Sequence, residues 1–261
     1  MKMVAIFICF LMSAGAIAQA GLPAQRFVNE SFQDAKARSR GTTNILSTHS
    51  ITPSGNLPES LSVPLHDLQI SQIPSAGNFK NLNSNFQFIR DSFFMKDGDS
   101  HPRRLTWLYP DDGCYARAEL AAEKLIEFKK SAPKKVYAFG QLRAKTDNAP
   151  YGWVEWWYHV AVTYQVDGVA YVLDPALNPY QPMTLAQWGQ AIGDNDGSVR
   201  YSICSKDTFD PDDACNNPNP VNEDFAANEQ RDFFPFEWER LIELGRNPEK
   251  ELGNQPPWNR P

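Results

Sequence analysis

The sequence predicts an α+β fold in which one helix packs on an antiparallel sheet. Between residues 114 and 126, apolar side chains recur at helical spacing, and charged side chains take the opposite face. Two strand-like segments, at residues 153–166 and 169–173, are joined by Asp167-Gly168, which is a strong hairpin signal. A helix on one side of hairpin-linked strands is typical of this class.

The first 20 residues have the pattern of an export leader, which we assign to residues 1–20. Lys2 supplies a positive charge, residues 4–12 form a short apolar run, and Ala16-Ile17-Ala18 and Ala18-Gln19-Ala20 follow as cleavage signals. The run is too short to span a bilayer, and no later stretch is long and apolar enough to do so. We therefore expect a secreted or periplasmic protein without a membrane span.

Residues 21–84 form an N-terminal extension that is rich in Ser, Asn, Thr, Pro and Gln. Their apolar clusters, such as residues 65–70, are too short to bury a core of their own. The extension is therefore a linker, an arm on the main domain, or a pro-segment. An aromatic pattern at residues 86–94 places the start of the compact domain at residue 85, and this domain runs to residue 261. We expect proteolysis at residues 78–85, a polar stretch with little to bury.

The predicted helix begins at Gly113 or Cys114. Asp112 has a side chain suited to the N-cap of this helix, and Ser131-Ala132-Pro133 ends it. The N–H groups of the first turn have no partner within a helix, so they favour negative charge at this end.

Residues 136–144 are predicted as a further strand. Beyond Pro175 the sequence becomes irregular, with short helices predicted at residues 184–191 and 236–245. No internal repeat is present.

The cysteines point to a nucleophile. Removal of the leader leaves three of them, and an odd number in an oxidising compartment leaves one thiol unpaired. Cys204 and Cys215 lie close together in a turn-rich loop, where they are able to form a disulfide. Cys114 is then free at the first turn of a helix. Helix N–H groups and a neighbouring imidazolium both favour the reactive thiolate form of a cysteine.

One histidine is placed to serve that thiol. His49, His66 and His101 lie in polar or loop segments, where we expect solvated surface positions. His159 lies in the middle of a strand among aromatic and apolar residues, so we predict that it is the base. A mid-strand histidine also has a purely structural interpretation, as a hydrogen-bonded core residue.

Hairpin geometry places a carboxylate near His159. With Asp167-Gly168 as a two-residue turn, Val166 pairs with Val169 and His159 falls opposite Ala176. Asp174 is then a diagonal neighbour of His159 on the same face, about 7–8 Å away at the backbone and within reach of its side chain. A carboxylate at this position orients the imidazole and stabilises its charged form. The pattern predicts a Cys114, His159 and Asp174 triad.

Two further features have weaker chemical meaning. Trp157 alternates onto the face of His159, so we expect it to wall a substrate-binding slot, whereas we expect Trp156 to pack in the core. The loop between Cys204 and Cys215 is acidic, but its spacing does not match an EF-hand loop, and we interpret it as a solvated loop closed by a disulfide. No segment has zinc-ligand spacing, so we expect no metal.

The sequence resembles the bacterial secreted protein-glutaminases, which are protein-glutamine deamidases. The ten residues 109–118, Tyr-Pro-Asp-Asp-Gly-Cys-Tyr-Ala-Arg-Ala, are similar to the nucleophile motif of that family. Trp157-Tyr158-His159-Val160-Ala161 and Leu173-Asp174-Pro175-Ala176-Leu177 are similar to its His and Asp motifs, in the same order. Residues 139–144 resemble the strand between them. The similarity covers residues 105–178, and the C-terminal third is dissimilar.

The resemblance implies a transglutaminase-like, papain-related fold and the deamidation of protein-bound glutamine. It assigns the nucleophile to Cys114, the base to His159 and the orienting acid to Asp174. Members of the family carry an N-terminal pro-segment over the active site, a role open to residues 21–84.

Three other functions are open to this sequence. Two of them are enzymatic and use the same triad, and the third does not use it. An amine in place of water makes the protein a transglutaminase, and a slot that admits the main chain makes it a cysteine protease. A secreted binding module with an inactive site is the non-enzymatic alternative. The net charge of −6 argues against nucleic acid as the main partner. We expect a monomer that needs no cofactor and acts on proteins or peptides with exposed glutamine.

Overall fold

The fold was analysed in a computed structural model that describes residues 26–27, 30–31, 33–38, 54–97 and 101–259. The predicted leader, residues 1–20, lies outside these residues. Within the described chain, no helix combines the length and the apolar character needed to cross a membrane.

The described part of the chain contains seven α-helices. After a short helix α1 at residues 33–38, six further helices follow: α2 Phe79–Asp91, α3 Cys114–Glu127, α4 Leu185–Ala191, α5 Glu223–Arg231, α6 Phe234–Glu243 and α7 Pro248–Leu252. Helix α4 begins with a capping box, because the Thr184 hydroxyl and the Gln187 side chain cap each other's backbone N–H groups. The prediction of α6 was two residues late at each end.

The main sheet has five antiparallel strands. The strands in chain order are β3 Lys134–Lys145, β4 Trp153–Val166, β5 Val169–Leu173, β6 Met183–Thr184 and β7 Arg200–Cys204, and they lie in the order β6-β5-β4-β3-β7. A separate ribbon joins β1 Met95–Asp97 to β2 His101–Arg103. The α+β class is therefore confirmed, and the sheet includes β7, a strand that the sequence pattern did not indicate.

The hairpin of β4 and β5 has the predicted register. Val166 pairs with Val169 and Val162 pairs with Leu173. Asp167 and Gly168 both have positive φ, of 52° and 79°, as the turn requires. The turn therefore fixes which residues of β5 and of the following segment lie beside His159.

Helix α3 packs on the sheet through its apolar side, with Leu120, Ala121 and Leu125 fully buried. One contact in this interface is ionic. The ammonium of Lys135, on β3, is completely buried and binds the carboxylate of Glu119 on α3 and the carbonyl oxygen of Thr208. Since a buried charge without a partner is costly, this pair holds the helix in one orientation on the sheet.

The end of the N-terminal extension is an arm on the main domain. We call residues 54–78 the arm. Val63 exchanges two backbone hydrogen bonds of 2.8 Å with Tyr201 on β7, and the Asn56 carbonyl accepts from the N–H of Cys215. At the far end, Ala76 donates to the carbonyl of Gln165 on β4, and Ile73 is buried.

Helix α2 crosses the position where we placed the start of the compact domain, residue 85. Asn78 caps it by accepting from the N–H of Asn81, and Leu82 and Phe86 are fully buried. The expectation that residues 78–85 bury little is therefore wrong. On this amphipathic helix Leu82 and the polar residue Asn85 enter the core, whereas Phe79 and most of the other polar residues of the stretch stay exposed.

Candidate active site

Cys114 is the first residue of α3, as the sequence predicts. Its thiol is free and 2% exposed. The N-cap prediction was wrong by one residue, because Gly113 rather than Asp112 takes that position, in the left-handed region at φ 75°. Asp112 instead accepts the N–H of Gly113 on its own carboxylate, at 2.6 Å. A left-handed residue was required here, and the sequence signal for it was the glycine itself.

His159 and Asp174 meet as the register predicts. The imidazole Nε2 lies 2.8 Å from Asp174 Oδ2, and the two residues are 1% and 3% exposed. His159 is held in the middle of β4, while Asp174 follows the last residue of β5. The strand geometry therefore supplies a buried imidazole with a carboxylate on one nitrogen.

The electrostatics of this pair favour the charged imidazole. Burial lowers the pKa of His159, but the Asp174 carboxylate and the Cys114 sulfur outweigh burial and raise that pKa to about 9. Burial also raises the pKa of Asp174, and His159 with the indole N–H of Trp188 outweighs it, so this pKa lies below its usual range. An imidazolium beside a carboxylate is the form that protonates a leaving group.

The second ring nitrogen of His159 is left for the thiol. Within the described chain, His159 Nδ1 is buried and has no partner at full hydrogen-bond geometry. Because Nε2 is engaged by Asp174 and the Cys114 side chain still interacts with the ring, we infer that Nδ1 is the nitrogen nearest to the sulfur. The structure thus brings together the three residues Cys114, His159 and Asp174.

Two tryptophans enclose the imidazole, and the sequence pattern drew attention to only one of them. Trp156 stacks on His159 with ring centroids 4.6 Å apart and an interplanar angle of 10°, and Trp188 lies on it at 5.7 Å and 25°. Trp188, on α4, also donates to Asp174 Oδ2 at 2.9 Å. No sequence signal linked α4 to this site, since the contact depends on how the chain after Asp174 turns back.

Trp157 does not take the position that strand alternation predicted. It is completely buried and packs on the rings of Phe139 and Tyr158. The ladder between β3 and β4 shifts its register between Phe139 and Leu142, opposite this segment, so simple alternation fails here. The geometry gives no support to Trp157 as a wall for substrate, and it corrects the expectation that Trp156 only packs in the core.

The segment before the nucleophile is held from inside by Arg117. We call residues 104–113 the nucleophile loop. The Arg117 guanidinium, three residues into α3 and buried, donates to the carbonyl oxygens of Asp112 at 2.6 Å, Tyr109 at 3.1 Å and Thr106 at 3.4 Å. One arginine therefore ties three carbonyl groups of the loop to the helix that follows it.

The remaining predicted residues are not part of this cluster. Cys204 and Cys215 form the expected disulfide. His66 is a surface residue with 80% of its side chain exposed, His49 lies outside the described residues, and His101 is described only through its backbone in β2.

Burial, followed by the charge of Asp213, raises the pKa of Asp210 in the disulfide loop to about 7. Across the described ranges, no group of three or more His, Cys, Asp or Glu has the arrangement of a metal site.

Comparison with known proteins gives one family and several similar structures. Residues 82–192 match the family model described as Glutaminase. An NMR structure of protein-glutaminase from Chryseobacterium proteolyticum is 27% identical, with 52% of this chain and 77% of that chain covered and a TM-score of 0.43. A crystal structure of protein-glutaminase is 24% identical, with coverages of 60% and 86% and a TM-score of 0.44.

A crystal structure of pro-protein-glutaminase is also similar. It is 24% identical, with 67% of this chain and 58% of that chain covered and a TM-score of 0.42. No curated protein matches this chain.

Proposed function

We propose that the protein is a cysteine hydrolase that deamidates glutamine side chains of proteins or peptides to glutamate. The match of residues 82–192 to the glutaminase family model supports this proposal. The observation that carries the proposal is the cluster at the start of α3, where a free thiol adjoins an imidazole paired with a carboxylate. A thioester intermediate and three residues account for the reaction without a cofactor.

The proposed reaction has two steps. The Cys114 thiolate attacks the side-chain carbonyl carbon of glutamine, and the negative oxygen that forms is stabilised by the N–H of Cys114 at the helix start. The imidazolium of His159 then protonates the nitrogen, the C–N bond breaks and ammonia leaves. In the second step, His159 takes a proton from water, which attacks the thioester and releases glutamate and the thiolate.

Asp174 keeps His159 in the correct tautomer throughout. With Nε2–H donated to the carboxylate, Nδ1 is the nitrogen that exchanges protons with the thiol, the leaving ammonia and the attacking water. The carboxylate stabilises the imidazolium without itself gaining the proton.

Ammonia release tests the activity and separates it from the alternatives. The leaderless protein is incubated with a glutamine-rich protein, and free ammonia is measured beside gels that detect cross-linked and cleaved products. If the protein is a deamidase, it releases ammonia in proportion to the new glutamate and forms neither cross-linked nor cleaved products. Cys114→Ala is the matched inactive control. Cross-links in the presence of an amine indicate a transglutaminase, and fragments indicate a protease. If none of the three reactions is detected with any form of the protein, including the shortened forms described below, the proposal that it is an enzyme is rejected.

We propose that the first part of the extension covers the site until it is removed. All three proposed catalytic residues are at most 3% exposed, so a protein substrate does not reach them in this conformation. Arg26 contacts β4, the strand that carries His159. Its N–H donates to the Glu155 carbonyl at 3.1 Å, and its side chain pairs with the Glu155 carboxylate. The arm and α2, by contrast, are bonded to β7, β4 and the core, so we assign them to the mature enzyme.

Three leaderless forms of the protein, which begin at Gly21, Ser54 and Asn85, test this division of the extension. We expect the form from Ser54 to be folded and the most active. The form from Gly21 is expected to gain activity after limited proteolysis. The form from Asn85 lacks the arm and half of α2, so we expect it to aggregate or unfold. Equal activity of the first two forms would reject the covering role.

Export is part of the same proposal. A leader at residues 1–20 and a disulfide between Cys204 and Cys215 both suit an oxidising compartment. The expected result is recovery of the processed protein outside the cytoplasm, with an N-terminus at or just after residue 19. Retention of the full-length chain inside the cell argues against the leader.

A further inference from the structure

We propose that Arg240 is a positioning residue for the reaction. Its guanidinium anchors the nucleophile loop from outside and thereby sets the geometry between Cys114 and His159. The inference rests on the proposed function of those two residues. Arg240 lies on α6, beyond the 82–192 segment that matches the family, so the match does not assign it a role.

The anchor is a bidentate ion pair. Arg240 Nη1 and Nη2 donate to Asp111 Oδ2 and Oδ1 at 2.6 and 3.0 Å, and the side chains are 12% and 4% exposed. Nη1 also donates to the carbonyl of Asn148, at 2.8 Å. Two parallel charge-assisted bonds fix distance and angle together, which a single bond does not. Asp111 is thus held in one orientation, three residues before the nucleophile.

Asp111 is also connected to the base. Its backbone carbonyl accepts the indole N–H of Trp156 at 2.9 Å, and the same indole stacks on the His159 ring. A displacement of Asp111 therefore moves the loop that ends in Cys114 and the surface on which the imidazole rests. Few other residues are in a position to change both partners of the proton transfer at once.

The rest of α6 holds the same loop farther from the chemistry. Glu237 accepts the N–H of Leu108 at 2.9 Å and pairs with Arg103 at 2.9 Å. Arg246, by contrast, binds Glu251 and the Asn148 side chain and has no hydrogen bond to the nucleophile loop. Arg246 is therefore a matched control for the loss of an anchoring arginine at this end of the molecule. Glu243, the exposed second partner of Arg240, controls for the charge of that residue.

The experiment compares Arg240→Met, Arg240→Lys, Arg246→Met and Glu243→Gln in the form of the leaderless protein that releases the most ammonia. We expect Arg240→Met to lower kcat by about 10- to 100-fold, because small displacements of reacting groups have effects of this size. KM is expected to stay within about twofold, since the residue does not bind substrate. The two control variants are expected to keep kcat, even where Arg246→Met lowers the unfolding temperature.

Rescue separates positioning from general loss of structure. Arg240→Lys restores one charged bond and is expected to recover part of kcat. Guanidinium at low millimolar concentration is expected to recover part of kcat in Arg240→Ala, which leaves room for the ion beside Asp111, but not in Cys114→Ala. Equal kcat losses in Arg240→Met and Arg246→Met, or no recovery by either route, would overturn the proposal.

A second readout keeps this test independent of the proposed substrate. Iodoacetamide alkylates Cys114 without any glutamine substrate. We expect the rate to fall severalfold in Arg240→Met and Arg240→Ala, and to recover with guanidinium in Arg240→Ala. If the wild-type protein releases no ammonia, the proposed function fails while the alkylation rates still decide the inference. Equal rates in wild type and Arg240→Met would contradict it.

Discussion

At the scale of single residues, the environment of His159 explains its chemistry. The ring has a carboxylate on one nitrogen, two indoles stacked against it and the Cys114 side chain beside it. The enclosure excludes water, which strengthens the attraction between the imidazolium and Asp174. A histidine in this setting gives up its proton only to a group that the site itself presents.

Cys114→Ala is expected to abolish ammonia release while the protein remains folded. The side chain is small and the change removes only the sulfur, so the fold loses little. His159→Ala is expected to lower kcat by orders of magnitude, and Asp174→Asn by less, because the carboxylate acts through the imidazole. Activity assays beside circular dichroism check the series. Retention of even about a tenth of wild-type activity in Cys114→Ala contradicts the assignment, since loss of an essential nucleophile costs far more.

The alkaline limb of activity is expected near pH 9. The imidazolium is the proposed acid, and its pKa in the substrate-free protein is raised from 6.5 to about 9, so kcat/KM falls as pH rises through that value. Asp174 raises this pKa, and Asp174→Asn is therefore expected to move the limb to lower pH. The same shift stabilises the fold, fully below about pH 6.5 and progressively less up to about pH 9. A profile of kcat/KM from pH 5 to 10 in both proteins checks the direction.

Trp188→Phe removes the indole N–H and keeps most of the ring. Asp174 loses a hydrogen bond to a charged oxygen, which is worth about 1.5 kcal/mol, and we expect kcat to fall by roughly tenfold. The pKa of Asp174 rises, because this bond helps to hold it down. Trp188→Leu, which also removes the stacking on His159, serves as the more severe comparison. An unchanged kcat in Trp188→Phe would limit the residue to packing.

At the scale of elements, the junction between the nucleophile loop and α3 requires glycine for two reasons. Gly113 has φ 75°, and a Cβ at this position would lie 2.8 Å from the ring of Phe233. The first reason is conformational and the second is steric, and they are separable. Gly152 has the same φ but no atom within 4 Å of an added Cβ.

Gly113→Ala is therefore expected to be more destabilising than Gly152→Ala. The backbone term costs about 1 kcal/mol or more in each variant, and the contact with Phe233 adds to it only at residue 113. Thermal unfolding of both variants measures the difference, and Phe233→Leu combined with Gly113→Ala is expected to recover part of it. Equal unfolding temperatures in the two glycine variants would show that the aromatic ring moves freely.

The elements that the sequence predicted well are those set by local chemistry. A two-residue turn determines the whole register of its hairpin, so counting residues from Asp167-Gly168 is enough to place Asp174 beside His159. Helix α3 was predicted from its apolar spacing, its charged outer face and the signals at its two ends. Strand β7 and helices α5 and α7 lacked a periodic signal, and the register shift beside Trp157 has no local signature. Trp188 and Arg240 reach the site through long-range contacts, which a single sequence does not reveal.

At the scale of the whole molecule, the disulfide connects the last strand of the sheet to the arm. Cys204 ends β7, and the N–H of Cys215 donates to the Asn56 carbonyl at 2.8 Å. Reduction is expected to lower the free energy of unfolding by about 2–3 kcal/mol, the value for a short closed loop. Alkylation of the leaderless protein without reductant is expected to label one cysteine, Cys114, by mass spectrometry. Two or more labels would contradict the pairing.

The pairing of the arm with β7 has a consequence for contacts between molecules. Strand β7 is the last in its sheet, and an uncovered final strand offers free N–H and carbonyl groups to the same strand of another copy. Val63 occupies the two backbone groups of Tyr201, and the carbonyl of Ser62 accepts from the Arg200 side chain. The arm thus shields the chain from intermolecular sheet growth. On the proposed route of activation, the protease has to leave the arm in place, because we expect an enzyme without it to pair through β7 with further copies.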